Sequence, residues 1–525
     1  MKSPTWICAA AALALASTVA AGTAQVRPTR GPSLVVMISV DQLRADLIDR
    51  YAPAFSGGFR RLLNDGYRFT EASHAHAMTE TAVGHATLST GVFPSRSGIV
   101  ANEWRVQEGG TWRGVYAVED SQSPILGVAG AAGRSPKNLL RGGLADWVLA
   151  ADSAAHVVSI SLKDRAAITM AGKTRGNVYW ILPALGRFVT STYYRNDYPS
   201  WVTFFNDSVM PPLLADTVWS ESVPPAMRSL ARADTAPYES DGVHTAFPHV
   251  ESQEARPAAR YSWLLAKPWA DRAVAGLAER AVDALRLGQR GHVDFLALSF
   301  SATDYVGHAY GPLSQEQLDN LVRLDGELGR LFSYLDQHVG RGRWVVGLSG
   351  DHGVLTMPEY LNATGEGAER TDARTRASAL AQAVQDASRE GGSRDEIARR
   401  LARLVERRGL VAKAYTDADL TVGAPADSFA ILFRNSYYPG RADGYLSPYG
   451  VEVRFGYHEL VSGPTGTSHG TPYWYDRHVP FMLMGAGVDH GESASAVYTV
   501  DLAPTLASLA GIPTPSDLDG KAVYK

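Results

Sequence analysis

The chain has 525 residues, of which 45% are hydrophobic, with a formal net charge of −4 and a mean hydropathy of −0.13. This is an ordinary soluble globular composition with enough chain for a large core, and the lack of any long basic run argues against a dedicated nucleic-acid partner. The single cysteine, Cys8, lies in an N-terminal leader, so the rest of the chain has no disulfide, no thiolate metal ligand and no cysteine nucleophile.

Residues 1–24 read as a secretory signal peptide. Lys2 is the only charge there, residues 6–21 are apolar and Ala-rich, and small residues suited to cleavage follow. An apolar run of about 16 residues is short for a membrane span. A periplasmic or secreted protein with no stable membrane anchor after cleavage is expected. Residues 34–40 are continuously apolar and predict a buried parallel strand ending at Asp41, followed by a helix over 44–64. Carboxyl ends of such strands are where open α/β sheets place ligands. Thr81 opens a predicted helix over 81–90 that stops at Gly91. Its hydroxyl is either a helix cap or a nucleophile at a helix N-terminus, where free N–H groups favour phosphate.

A second strand at 156–161 runs into Lys163-Asp164-Arg165, which places two cations at a strand exit. Residues 177–268 are irregular and rich in Trp, Tyr and Pro, and predict a cap-like insertion over the sheet. A helix follows at 271–287. A third strand at 293–300 leads into Asp304 and His308, a long amphipathic helix covers 315–339, and a fourth strand at 343–349 ends in Gly350-Asp351-His352-Gly353. Two helices broken at Gly391-Gly392 span 373–408. With segments 428–433 and 451–455 they predict a small α+β lobe within 373–460. A Gly- and Thr-rich loop carries His469, and a strand at 479–484 and a closing helix at 500–509 complete the chain.

Three strand exits thus carry carboxylates, Asp41, Asp304 and Asp351, and histidines His308, His352 and His469 accompany them. Mixed Asp and His donors without sulfur suit Zn²⁺ or another divalent first-row metal. Six such ligands fill two four-coordinate sites, an arrangement used for in-line phosphoryl displacement. Because these positions run from 41 to 469, one domain must hold almost the whole of residues 25–525.

Five motifs carry a resemblance: the strand-exit Asp41, Thr81-Ala82-Val83-Gly84-His85, Asp304-x-x-x-His308, Asp351-His352-Gly353 and His469-Gly470-Thr471-Pro472. Together they resemble the alkaline phosphatase superfamily, in its monomeric, threonine-nucleophile periplasmic branch, related to the nucleotide pyrophosphatase/phosphodiesterases. The resemblance implies an α/β sandwich with a mostly parallel central sheet flanked by helices. It implies two Zn²⁺, one held by Asp41, Asp351, His352 and Thr81, the other by Asp304, His308 and His469. Thr81 would be the nucleophile, forming a phosphothreonine intermediate. Asn102, which lies 21 residues after Thr81, and Lys163 and Arg165 would contact the phosphoryl oxygens. His85 would be a structural hydrogen-bonder. A monomer is expected.

The two cations set the substrate class. A phosphate monoester presents a dianion that rewards paired positive charges, whereas a diester phosphoryl carries one negative charge. Hydrolysis of small-molecule phosphate monoesters is therefore expected, with a phosphodiesterase or nucleotide pyrophosphatase on the same bimetal site as the alternative. An inactive metal- or phosphate-binding protein is the alternative from another class.

Overall fold

In the computed structural model, the described residues are Met1 and 31–524, apart from 217, 240–242 and 252–256. The expected signal peptide falls outside them. Continuous apolar runs suit strands covered on both faces, and the apolar runs of the sequence supply the middle of one nine-stranded sheet. Its strands in chain order are β1 (Leu34–Val40), β2 (Tyr67–Phe69), β3 (Val157–Ser161), β4 (Asn177–Leu182), β5 (Arg187–Val189), β6 (Asp294–Phe300), β7 (Trp344–Gly350), β8 (Phe481–Gly485) and β9 (Gly491–Ser493). Their spatial order is β9-β2-β8-β7-β1-β6-β3-β4-β5. The run β7-β1-β6-β3-β4 is parallel, and antiparallel β8 and β5 flank it. The mostly parallel sheet is the one expected.

Register decides what this sheet can do. Val40 at the end of β1 lies opposite both Phe300 of β6 and Gly350 of β7. Three neighbouring strands therefore release their chains at one level, on one edge of the sheet.

Helices α1 (Thr81–Thr90), α2 (Asp164–Met170), α3 (Trp269–Leu285), α4 (Ala302–Tyr310), α5 (Gln315–Leu335), α6 (Ala373–Ser388), α7 (Arg394–Arg407) and α8 (Leu502–Ala510) are the ones that matter here. On one face of β1, Leu34, Val36, Ile38 and Val40 pack in a core with Leu277 of α3 and Leu321 of α5. On the other face, Val35 and Met37 share a core with Leu88 of α1 and Leu506 of α8. The period-2 alternation of a strand thus fills two apolar layers at once.

Several expectations shift. The helix expected over 44–64 is two helices, Ala45–Tyr51 and Gly58–Asp65, separated by a turn at Ala52–Ala54. Pro53 lacks the N–H that a continuous helix needs there, and Gly57 and Gly58 lie in close contact with Asp325 and Leu328 of α5, so that a Cβ on either would overlap them. Residues 177–189, read as the start of an irregular insertion, are β4 and β5, because Val178, Trp180 and Ile181 are buried strand residues. The long helix expected over 315–339 ends at Leu335 and passes into a wider turn at Asp336–Gly340. Within 373–460, α6 and α7 share a core built on Leu380, Leu401 and Val405, and Lys413–Thr416 pairs antiparallel with Val451–Arg454. Residues 428–433 fall in a helix, Ser428–Ser436, whose Leu432 and Phe433 pack with Ala77.

Candidate active site

The edge where β1, β6 and β7 end carries the acidic residues expected there. Asp41 and Asp351 directly follow β1 and β7, and both are fully buried. Asp304 sits in the first turn of α4, and His308 lies one turn on, the i, i+4 spacing that puts both on one helix face. Two groups of donors converge: Asp41, Asp351 and His352 in one, Asp304, His308 and His469 in the other, with the donor atoms of each group within 4.8 Å of one another.

The histidines are oriented alike. Nδ1 of His308 lies 2.8 Å from the Thr467 carbonyl, Nδ1 of His352 3.0 Å from the Gly353 carbonyl, and Nδ1 of His469 2.7 Å from the Thr79 carbonyl. A carbonyl only accepts, so each Nδ1 carries a proton, and Nε2 is the atom left to face the carboxylates, with a free lone pair where the ring is neutral. The His352 and His469 rings stack with centroids 3.6 Å apart. Burial, reinforced by its neighbours His352 and His308, lowers the pKa of His469, and burial also lowers that of His352. Both are then neutral imidazoles, the form that binds metal.

The donor set fits a divalent cation. Asp41 Oδ1 and His352 Nε2 are buried without a hydrogen-bond partner among the described residues, and His352 Nε2 stands 3.5 Å from both Asp41 Oδ1 and Asp351 Oδ2. Burial and the nearby Asp351 raise the pKa of Asp41. Gathering such carboxylates is costly unless positive charge joins them.

Lys163 supplies part of that charge. Its Nζ lies 2.6 Å from Asp41 Oδ2 and 2.5 Å from Asp304 Oδ2, between the two groups. Burial disfavours its charged form, but the attraction of Asp304 and Asp41 is stronger and its pKa is raised.

Thr81 is the first residue of α1; Glu80 is the N-cap. The capping reading of Thr81 therefore fails, and its hydroxyl is free for other work. Thr81 Oγ1 lies 3.5 Å from Lys163 Nζ and 3.4 Å from Arg165 Nη2. Lys163 and Arg165 flank the start of α2, packed against α1, and are not on a solvated loop. Asn102 holds the same spot: its Oδ1 accepts from Ala82 N at 2.9 Å, and its own N–H donates to Glu80 Oε2 at 2.6 Å. The hydroxyl of Thr79, two residues before Thr81, donates to the Thr471 carbonyl at 2.9 Å. His85 bridges the Thr81 carbonyl at 2.8 Å and Ser299 Oγ at 2.9 Å, a structural role.

Sequence reasoning missed the residues that hold these. Tyr116 OH donates to Asp164 Oδ1 at 2.5 Å, Arg134 pairs with Asp164 Oδ2 at 2.6 Å, and Arg165 Nη1 reaches Tyr116 OH at 3.5 Å. No local pattern signals Tyr116, which lies on a hairpin far from α2 in the chain. The ring centroid of Tyr305 is 5.2 Å from Lys163 Nζ. Gln42, next to Asp41, hydrogen-bonds to a carboxylate of each donor group.

With that geometry in place, the profile of the type I phosphodiesterase / nucleotide pyrophosphatase family matches residues 35–430. The chain belongs to this family. Among curated proteins, alkaline phosphatase PhoV of Synechococcus elongatus is 33% identical, over 94% of this chain and 92% of that one. Alkaline phosphatase PafA of Elizabethkingia meningoseptica is 30% identical, over 94% of each. The crystal structure of wild-type PafA superposes with a TM-score of 0.85 at 28% identity, covering 94% of this chain and 98% of that one. Family membership and fold together make the chain an enzyme of the alkaline phosphatase superfamily.

Proposed function

We propose that the protein is a metal-dependent alkaline phosphatase that hydrolyses small phosphate monoesters through a phosphothreonine at Thr81 and releases inorganic phosphate. One observation carries this reading: a threonine hydroxyl at a helix N-terminus, within 3.5 Å of two cations and beside two three-residue donor groups. The naming of relatives at 30% identity and above as alkaline phosphatases supports it. So does a PafA variant structure in which a Thr, an Asn, a Lys and an Arg are replaced; the Thr–Asn spacing of 21 and the Lys–Arg spacing of 2 match Thr81–Asn102 and Lys163–Arg165.

Two divalent cations, for which Zn²⁺ suits the donors, would be held by Asp41, Asp351, His352 and Thr81 and by Asp304, His308 and His469, and would supply Lewis acidity to the attacking and leaving oxygens. The remaining work belongs to side chains. Thr81 Oγ1 attacks phosphorus in line, the P–O bond to the leaving group breaks, and the alcohol departs. Water then displaces Thr81 from the phosphothreonine and yields phosphate. Lys163, Arg165 and the Asn102 amide meet the non-bridging oxygens, where charge is spread in a loose transition state. The α1 N-terminus adds backbone N–H groups.

The family profile is named for diesterases, so the competing reading is phosphodiester hydrolysis on the same site. A buried lysine and a half-buried arginine beside the nucleophile favour a dianion over a monoanion. The deciding measurement is kcat/KM for an aryl phosphate against its methyl aryl diester. The monoester is expected to win, and the Lys163→Ala/Arg165→Ala variant to lose about a hundredfold or more on the monoester and far less on the diester. A diester preference in the unaltered enzyme would sink the proposal. Export is supported by the apolar leader of the sequence; among the described residues no helix is long and apolar enough to cross a membrane.

A further inference from the structure

Gln42 follows Asp41 directly and is fully buried. Its φ is +64°, one of two positive values among the described non-glycine residues. An unbranched L-residue there is uncommon, and such strain collects at functional sites when the surroundings enforce it. The enforcement is visible. Gln42 N donates to Asp351 Oδ1 at 3.0 Å, and Gln42 Nε2 donates to Asp304 Oδ1 at 2.8 Å. The first acceptor belongs to one donor group and the second to the other. Room for the amide comes from Gly307 in α4: a Cβ built there would lie 1.8 Å from Gln42 Oε1. Oε1 itself has no hydrogen-bond partner among the described residues.

We propose that Gln42 is the positioning residue that spans the two ligand groups, its backbone N–H fixing Asp351 in one and its side-chain amide fixing Asp304 in the other. The left-handed backbone turns the N–H toward β7 while the side chain reaches α4, so a single residue sets the relative placement of carboxylates 47 positions apart in the chain. Each bond also occupies a lone pair of its carboxylate and orients the remaining ones, which is how residues behind metal ligands tune affinity. The inference rests on the two-metal reading of the site.

Gln42→Gly separates the two links. Glycine takes a positive φ readily, so the bond to Asp351 survives and only the bond to Asp304 is lost. Co²⁺ titration of the metal-free protein, followed by visible absorption, reads both groups, with His308→Ala and Asp351→Asn assigning the bands. In Gln42→Gly, Co²⁺ affinity at the Asp304–His308–His469 group is expected to fall about tenfold to a hundredfold, as for lost partners of metal ligands. Affinity at the Asp41–Asp351–His352 group and the Tm of the metal-free protein should stay close to the parent. Gly307→Ala, which pushes on the same amide from the opposite side, should weaken the same group. Equal loss at both groups, or no loss at either, overturns the inference while leaving the two-metal reading intact. A parent protein that binds no Co²⁺ overturns both. If Gln42→Gly lowers the metal-free Tm, Gln42→Met supplies the same comparison with the side-chain volume kept.

Discussion

Under the proposed mechanism Asn102 would do two jobs with one side chain, and its two ends can be separated. Oδ1 accepts from Ala82 N and so satisfies one of the free donors at the α1 N-terminus. Nδ2 has no partner among the described residues and is the end available to a phosphoryl oxygen. Asn102→Ala removes both, and should cost about 1 kcal/mol of stability for the lost hydrogen bond together with a large loss of kcat/KM. Asn102→Asp keeps the acceptor and turns the donor into a negative charge. Its Tm should match the parent, while kcat/KM on a monoester falls about a hundredfold to a thousandfold, as when one donor to transition-state charge is lost. Thermal unfolding beside steady-state kinetics on the two variants checks this. A Tm loss in Asn102→Asp as large as in Asn102→Ala would mean that the amide, not the carbonyl, holds the helix.

At the scale of elements, α1 is unusual in being buried at all ten positions, so its approach to the sheet is set by backbone, not by a polar outer face. Gly84 makes that approach possible. A Cβ there would lie 2.0 Å from the Asp351 carbonyl oxygen. Helix propensity alone favours Gly84→Ala by about 1 kcal/mol, but backbone meeting backbone cannot rearrange as a side-chain tip can. The clash should win, with a net loss of about 1–3 kcal/mol and reduced activity, since the shift moves Thr81 away from Asp351. A stabilised, fully active Gly84→Ala variant would refute the close contact.

The same element shows what could be read from the chain. The bounds of α1 and its stop at Gly91 were legible because Gly91 adopts the left-handed C-cap, φ +66°. The six side chains that converge in the two donor groups were legible because strand ends, an i, i+4 pair and a histidine in a Gly- and Thr-rich loop announce themselves locally. The role of Gly84 was not, because only the packed sheet reveals what its missing Cβ would strike. Nor was that of Gln42, whose two partners lie 309 and 262 residues away. The two strands inside 177–189 were hidden by aromatic residues that serve a buried strand and a loop equally well.

Across the whole molecule, the donors of the two candidate metal groups come from four separate segments between residues 41 and 469, so loading both groups would tie most of the chain together. Two ions, each at a hundred times its Kd, would add about 5 kcal/mol. With the unfolding entropy of a chain this size, that is roughly 5 °C in Tm. Stripping metal with a chelator should lower Tm by about that amount and abolish turnover, and returning Zn²⁺ should restore both. Lys163 gives the prediction its sharper form. Its ammonium stands between Asp41 and Asp304, and with no metal to take its place, removing one partner from such a buried set should cost about 3–5 kcal/mol. In the loaded protein the ions neutralise the same carboxylates, and the loss of a neighbouring positive charge favours binding them. Lys163→Ala should therefore show a lower metal-free Tm than the parent and a larger gain on adding Zn²⁺, even as its monoester activity falls. Scanning calorimetry of both proteins with and without metal decides it: equal metal-free Tm values would show that Lys163 does not compensate the carboxylates.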